Sequence, residues 1–382
     1  MVMRVLVAGG GTGGHIFPAL AALRELRRRQ PDLEVRWLGG HRGIEAEVVP
    51  AAGYRLDRLA LRTLRSVDLS VATVTDPLRL AVSAPQAAAH MLRWRPDVLY
   101  TTGGYVAIPT LAAAFLLRVP SLMWEGNRLA GRSVRATARL ASALAVSYAG
   151  TQDELPGRPY LTGTPIRAVE GMDPSVARER LGIADGLPVL LVFGGSQAVR
   201  RFNSGVALAL PRLVERCCVI HVTGDAGIEE AREVREHLPE ALRDRYRPAA
   251  FLGDEMTAAL VAADLLVGRA GSSTMAEASA LGLPVVVVPY PHAAGHQRAN
   301  AQELVGAGGA LLVPDEELDA DRLVEVAGLL DDPSALDAMR AGARSVGRPG
   351  AAMVTADLLE ALATRSPLPS REAIQAGSRA AA

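Results

Sequence analysis

One pattern occurs twice in this chain and restricts the folds open to it: a short apolar run, a glycine-rich turn, then apolar residues at helical spacing. Residues 3–8 (MRVLVA) run into Gly9-Gly10-Gly11-Thr12-Gly13-Gly14, after which Ile16, Leu20, Leu23 and Leu26 recur on one helix face. Residues 188–193 (PVLLVF) run into Gly194-Gly195-Ser196-Gln197, with a helical pattern from Ala198. Runs that are apolar throughout mark strands buried on both faces, and helices between such strands make the sheet parallel. Further strand candidates lie at 34–38, 97–101, 120–124 and 143–148, then at 217–223, 249–252, 264–267 and 284–289. The expected fold is α/β, with two doubly wound parallel-sheet domains sharing 382 residues. Residues 160–167 (YLTGTPIR) carry turn chemistry and read as the linker. Helices are expected near 318–330, 333–344 and 350–364, and a frayed, disordered tail over 365–382. Ligands of such sheets sit beyond the carboxyl ends of the strands, which places the expected site in a cleft between the domains.

Composition narrows the chemistry. All 41 basic residues are Arg, balanced by 41 acidic ones. With no lysine there is no P-loop lysine, no Schiff base and no pyridoxal-phosphate anchor. Phosphate must be handled by Arg, backbone amides and helix ends. A net charge of zero argues against bulk binding of nucleic acid. Cys217 and Cys218 lie in an apolar run and read as buried thiols rather than a disulfide or metal pair. The chain opens as a strand without a signal-peptide layout, and no apolar run approaches the ~18 residues of a membrane span. The expectation is a soluble or peripheral protein.

Several segments carry candidate chemistry. Gly9, Gly11 and Gly14 match G-x-G-x-x-G, but the second strand ends Leu38-Gly39-Gly40-His41 with no acid before Glu45. A dinucleotide site wants an acid there for a ribose, or an arginine such as Arg42 for NADP. His15 follows the loop. It is either a packing histidine or, at the positive end of a helix that disfavours a second positive charge, a general base. In the second half, Arg269-Ala270-Gly271-Ser272-Ser273-Thr274-Met275-Ala276-Glu277 follows a strand, and its hydroxyls and amides suit phosphate. Glu277 is either a first-turn carboxylate or an acceptor for both ribose hydroxyls. Tyr290, His292, His296, Gln297 and Asn300 cluster after the next strand. Tyr100 to Tyr105 and Trp124-Glu125-Gly126-Asn127 also follow strands.

Assembled in order, GGGTGGHIFPALA, GIEAEVVP, GGYVAIPT, EGN, TPIR, GGSQ with Asn203, and RAGSSTMAE…GLPVVVVPYPHAAGHQRANA resemble the bacterial MurG family of glycosyltransferases. The resemblance covers nearly the whole chain. It implies the GT-B fold of two Rossmann-like domains: 1–164 for the acceptor and membrane, 165–346 for the donor, and a helix over 347–364 crossing back to the first. It implies transfer of N-acetylglucosamine (GlcNAc) from UDP-GlcNAc to the membrane-anchored acceptor lipid I, giving lipid II for peptidoglycan. By position, the donor contacts would be Thr12, Gly13, Gly14, Asn127, Arg167, Ser196, Leu252, Ser272, Ser273, Thr274, Met275, Ala276, Glu277 and Gln297. His15 would be the base, with Glu125 the second choice. No cofactor or metal is implied, because helix amides and Arg can stabilise the diphosphate. Four departures stand out. Trp124-Glu125-Gly126-Asn127 replaces the usual His-Glu-Gln-Asn, Ala198 and Thr164 replace Gly and Asn, and Ser272-Ser273 replaces Ala plus another residue.

A lipid acceptor implies docking on the cytoplasmic leaflet of the cell membrane. The candidates are Leu78, Leu80, Met91, Leu92, Phe115 and Leu116, bordered by Arg62, Arg65, Arg79, Arg93, Arg95 and Arg118. An ordinary amphipathic helix packed on its sheet is the alternative for most of the apolar ones. The rival functions are another GT-B enzyme (a small-molecule glycosyltransferase or a UDP-GlcNAc 2-epimerase), an NADP-binding protein, and a non-catalytic nucleotide-sugar sensor.

Overall fold

The computed structural model describes the chain except for residues 1, 42, 62–70, 168–171, 184–185, 195–199, 292–294 and 381–382, and for the side chains of 71–81, 200 and 254. The chain forms two compact units, Met1–Ala168 with Arg348–Ala382, and Val169–Gly347.

The first unit is built on strands β1 (Arg4–Ala8), β2 (Glu34–Gly39), β3 (Arg55–Arg58), β4 (Val98–Thr101), β5 (Ser121–Glu125), β6 (Ala143–Val146) and β7 (Tyr160–Leu161). All pair in parallel, in the order β3-β2-β1-β4-β5-β6-β7. The second unit holds β8 (Val189–Phe193), β9 (Cys218–Val222), β10 (Tyr246–Ala249), β11 (Leu265–Gly268), β12 (Val285–Val287) and β13 (Ala310–Leu312), parallel in the order β10-β9-β8-β11-β12-β13. In each sheet the order reverses beside the strand that feeds a glycine turn, β1 or β8. This is the switch point at which such sheets bind ligands. The central strands are buried end to end because helices cover both faces, as their unbroken apolar runs require.

Three local expectations change. The strand expected at 249–252 lies instead at Tyr246–Ala249. As the edge of its sheet it accommodates Pro248 without loss of an outer ladder bond. The expected linker begins as an edge strand, Tyr160–Leu161. The expected loose tail contains a helix, Arg371–Arg379, started by the Ser370 hydroxyl accepting from the Ala373 amide at 3.1 Å. Its one large apolar residue, Ile374, is 1% exposed, and Arg371 donates to the Arg158 and Gly157 carbonyls. Small residues there allow a close approach, since a Cβ on Gly377 would stand 2.9 Å from Val354.

A buried polar network ties the helix Arg200–Leu213 of the second unit to its sheet. His221, 1% exposed on β9, lies with Nε2 3.1 Å from Asn203 Oδ1 and Nδ1 2.9 Å from the Tyr246 hydroxyl. The amide oxygen only accepts, so Nε2 carries the proton and Nδ1 accepts from Tyr246. Burial lowers the His221 pKa from 6.5 to about 4. The unfolded chain therefore binds more protons between those values, and stability is full above pH 6.5 and falls as the pH falls. The expected loss is about 2 kcal/mol between pH 7 and pH 5. Urea unfolding of wild type and His221→Phe across that range checks it; equal slopes with pH would contradict it.

Candidate active site

In the first unit the candidate residues stand on loops at the carboxyl ends of β1, β4 and β5. The β1 loop is glycine-rich because its neighbours leave no room for side chains. A Cβ on Gly9 would collide with Thr102 Oγ1, and one on Gly10 would lie 2.6 Å from Glu45 Oε1. Gly11 has φ +90°, and its amide donates to Glu45 Oε2 at 2.8 Å. Glu45 is fully buried, and its Oε1 also accepts from the Tyr105 hydroxyl at 2.8 Å and the Gly40 amide at 3.3 Å. Burial and then the Glu45 charge push the Tyr105 phenol well above its ordinary range, so it stays a donor. The chain's own carboxylate thus occupies an amide that a dinucleotide pyrophosphate would want, which counts against the NADP reading. Arg42 lies outside the described residues.

The helix Gly13–Arg29 starts on Thr12, whose carbonyl accepts the His15 amide at 3.1 Å. Thr12 and Gly14 are exposed and Gly13 is half-buried. His15 Nδ1 lies 2.6 Å from the Thr102 carbonyl oxygen. A carbonyl can only accept, so Nδ1 carries a proton, and in the tautomer this selects the lone pair lies on Nε2. Gly103 and Gly104, at φ +85° and +76°, carry the β4 loop past the imidazole. Glu125 is 3% exposed. Its Oε1 accepts from the Asn127 amide at 2.8 Å and from Asn127 Nδ2 at 3.2 Å, and its Oε2 from the Gly131 amide at 2.8 Å. Both carboxylate oxygens are engaged in bracing the loop that presents Asn127. The Arg167 guanidinium lies 5.8 Å from the Phe17 ring, beside Gly13.

In the second unit the helix Ser272–Leu281 opens on Gly271, and its hydrogen-bond ladder begins with the Met275 amide donating to the Gly271 carbonyl at 3.0 Å. The amides of Ser273 and Thr274 precede that bond and point out of the helix N-terminus. The Ser273 hydroxyl oxygen is buried with no hydrogen-bond partner among the described residues. Met275 does not suit the donor role expected of it: its side chain is 3% exposed in the core and its amide is spent inside the helix. Ala276 and Glu277 are half-buried. Leu252 follows β10, and its carbonyl accepts from the Glu255 amide at 2.8 Å. Gln297 Oε1 accepts the Tyr290 amide at 2.8 Å, which leaves its Nε2 to donate. Ser196 lies outside the described residues.

Sequence reasoning did not single out Glu45 as a brace, nor the clamp under the donor loop. Arg269, 5% exposed, donates to Asp315 at 2.5 Å and to the Val288 carbonyl at 3.1 Å, between the Phe202 and Tyr290 rings. It also did not single out Phe251, whose ring is 73% exposed next to Leu252. An aromatic residue directly preceding a proposed nucleobase contact was the available signal.

Residues 5–146 match the glycosyltransferase family 28 N-terminal domain, and 189–352 the family 28 C-terminal domain. Two relatives are described as UDP-N-acetylglucosamine–N-acetylmuramyl-(pentapeptide) pyrophosphoryl-undecaprenol N-acetylglucosamine transferase. The one from Desulforudis audaxviator is 38% identical over 94% of this chain and 99% of its own. The one from Chlorobium luteolum is 39% identical over 93% and 97%. The crystal structure of Acinetobacter baumannii MurG matches with TM-score 0.73 and 27% identity, covering 94% of this chain and 99% of that one. A putative UDP-N-acetylglucosamine 2-epimerase from Listeria monocytogenes, 14% identical with TM-score 0.67 over 97% and 99%, shares the fold. Two parallel Rossmann-like sheets, both family 28 domains and full-length similarity to these transferases lead to one assignment: the chain belongs to the MurG family of GT-B glycosyltransferases.

Proposed function

We propose that this enzyme moves GlcNAc from UDP-GlcNAc to the MurNAc 4-hydroxyl of lipid I, releasing UDP and forming lipid II. The observation that carries the mechanism is the His15–Thr102 bond, which orients the ring at the first turn of the Gly13–Arg29 helix with Nε2 as the atom left to accept a proton. The acceptor hydroxyl attacks the anomeric carbon opposite UDP, and its proton passes to His15 Nε2. The bond from that carbon to the diphosphate breaks with its electron pair on the leaving oxygen, and the new linkage is β. Arg167, Ser196 and the amides at Ser273 and Thr274 take up the charge developing on the diphosphate. Glu277 accepts from the ribose hydroxyls, the Leu252 backbone meets the uracil, and Phe251 offers it a flat apolar face. Asn127 and Gln297 meet the sugar, while Glu125 keeps Asn127 in place. Label transfer from UDP-GlcNAc to a lipid I analogue tests the reading. Formation of an epimerised nucleotide sugar instead, or UDP-GlcNAc binding without transfer, would overturn it.

We further propose that the first unit docks on an anionic leaflet. Val82, Leu92, Phe115 and Leu116 are exposed by 50, 62, 57 and 78%, and Arg93, Arg95 and Arg118 are exposed beside them. A groove of about 310 Å³ between Leu92, Leu117, Arg95, Arg118 and Arg365 adjoins this patch. Met91, expected on the same face, is 2% exposed and packs inward. Arg62 and Arg65, and the side chains of Leu78, Arg79 and Leu80, lie outside the description. No described helix is long and apolar enough to cross a membrane. Binding to anionic vesicles is expected to weaken about tenfold or more when salt rises from 0.05 to about 0.5 M. Equal binding to neutral vesicles at low salt would remove the electrostatic part.

A further inference from the structure

We propose that Trp124 is a positioning residue for the Glu125-Gly126-Asn127 loop and that Gly126 is its required partner, because the indole fills the space that a side chain at 126 needs. The activity arm of this inference rests on the transferase reading above; the packing arm does not.

Trp124 and Glu125 are neighbours at the end of β5, so their side chains leave opposite faces of the sheet. Glu125 turns to the loop and holds the Asn127 amide and side chain. Trp124, 1% exposed, turns into the core, and its Nε1 donates to the Gly163 carbonyl at 3.0 Å. The far edge of the ring lies directly beneath the loop. A Cβ on Gly126 would overlap Cη2 and stand 2.9 Å from Cζ3 and 3.2 Å from Cζ2.

The ring has nowhere to retreat. Gly163 holds it from the other side and is itself confined, with φ +83° and a Cβ position 2.7 Å from Arg348 Cβ and 3.3 Å from Ala351 Cβ. Arg348 in turn donates to the Ser378 hydroxyl at 3.0 Å. A side chain at 126 must therefore displace either the indole or Asn127. A close-packed interior transmits such a displacement rather than absorbing it. This explains why the chain departs from the His-Glu-Gln-Asn pattern at both the first and third positions: a large ring at 124 and a residue larger than glycine at 126 exclude each other.

The test is a double-substitution cycle on the full chain with Gly126→Gln, Trp124→His and the two combined. Gly126→Gln alone is expected to raise KM for UDP-GlcNAc about tenfold or more, with a smaller change in kcat, and to lower the melting temperature. The combined variant is expected to recover KM to within about threefold of wild type and to melt above Gly126→Gln. Where Gly126→Gln does not accumulate, Gly126→Ala, which adds only the colliding Cβ, replaces it. Effects of the two substitutions that simply add, in KM and in melting, would overturn the pairing. A wild-type chain that transfers no GlcNAc would overturn the functional reading, while the melting cycle would still decide the packing.

Discussion

His15→Ala is expected to lower the turnover of GlcNAc transfer by about 10²–10⁴-fold, the usual contribution of a positioned general base, while UDP binding stays nearly unchanged. The geometry explains both halves. Nδ1 is committed to the Thr102 carbonyl, so the imidazole is oriented with Nε2 as its basic atom. The nucleotide contacts proposed here lie mainly on other residues, among them Leu252, Ser273, Thr274 and Glu277. Label transfer gives the turnover and calorimetry with UDP gives the binding. Unchanged turnover in the variant removes His15 from the chemistry; UDP affinity lost in parallel with turnover makes it a binding residue instead.

Glu45→Ala carries the largest expected effect on stability. The carboxylate is fully buried and accepts from the Gly11 amide, the Gly40 amide and the Tyr105 hydroxyl. Its removal leaves three donors without their acceptor, two of them buried, and opens a cavity beside the β1 loop. Each buried donor left unsatisfied costs about 1–3 kcal/mol, so a total of about 3 kcal/mol or more follows. For a unit of this size, calorimetry should show its melting transition lowered by about 10 °C. Glu45→Gln keeps the volume but sets its own NH₂ against a donor, and should fall between the two. A melting curve identical to wild type for Glu45→Ala would contradict the brace.

These two residues show where sequence reasoning reaches and where it stops. His15 was legible because it follows a glycine loop at the start of a periodic helix, and because the ordered motifs resemble a known family. Its tautomer was not, since Thr102 stands 87 residues away. Glu45 was visible only as an acid too far along to hold a ribose. Its function depends on a loop 34 residues earlier and a tyrosine 60 residues later. Glu125 was read as an alternative base, and the structure surrounds it with donors. Met275 sat inside a motif of polar residues yet turns inward, because one side of any helix on a sheet must be apolar.

The two parallel sheets, their glycine turns and the family are legible from the order of residues alone. Strand and helix periodicities and the glycine requirement of a tight turn act over a few residues, and ordered motifs survive without coordinates. Which groups are spent and which can act depends on the fold. It seats the Arg371–Arg379 helix, pairs Trp124 with Gly126 and Gly163, and spends Glu45 and Glu125 on bracing while it orients His15 through Nδ1. The physical reason is that a hydrogen bond or a steric exclusion depends on ångström-scale distances between chain segments far apart in sequence, and no local pattern encodes those distances.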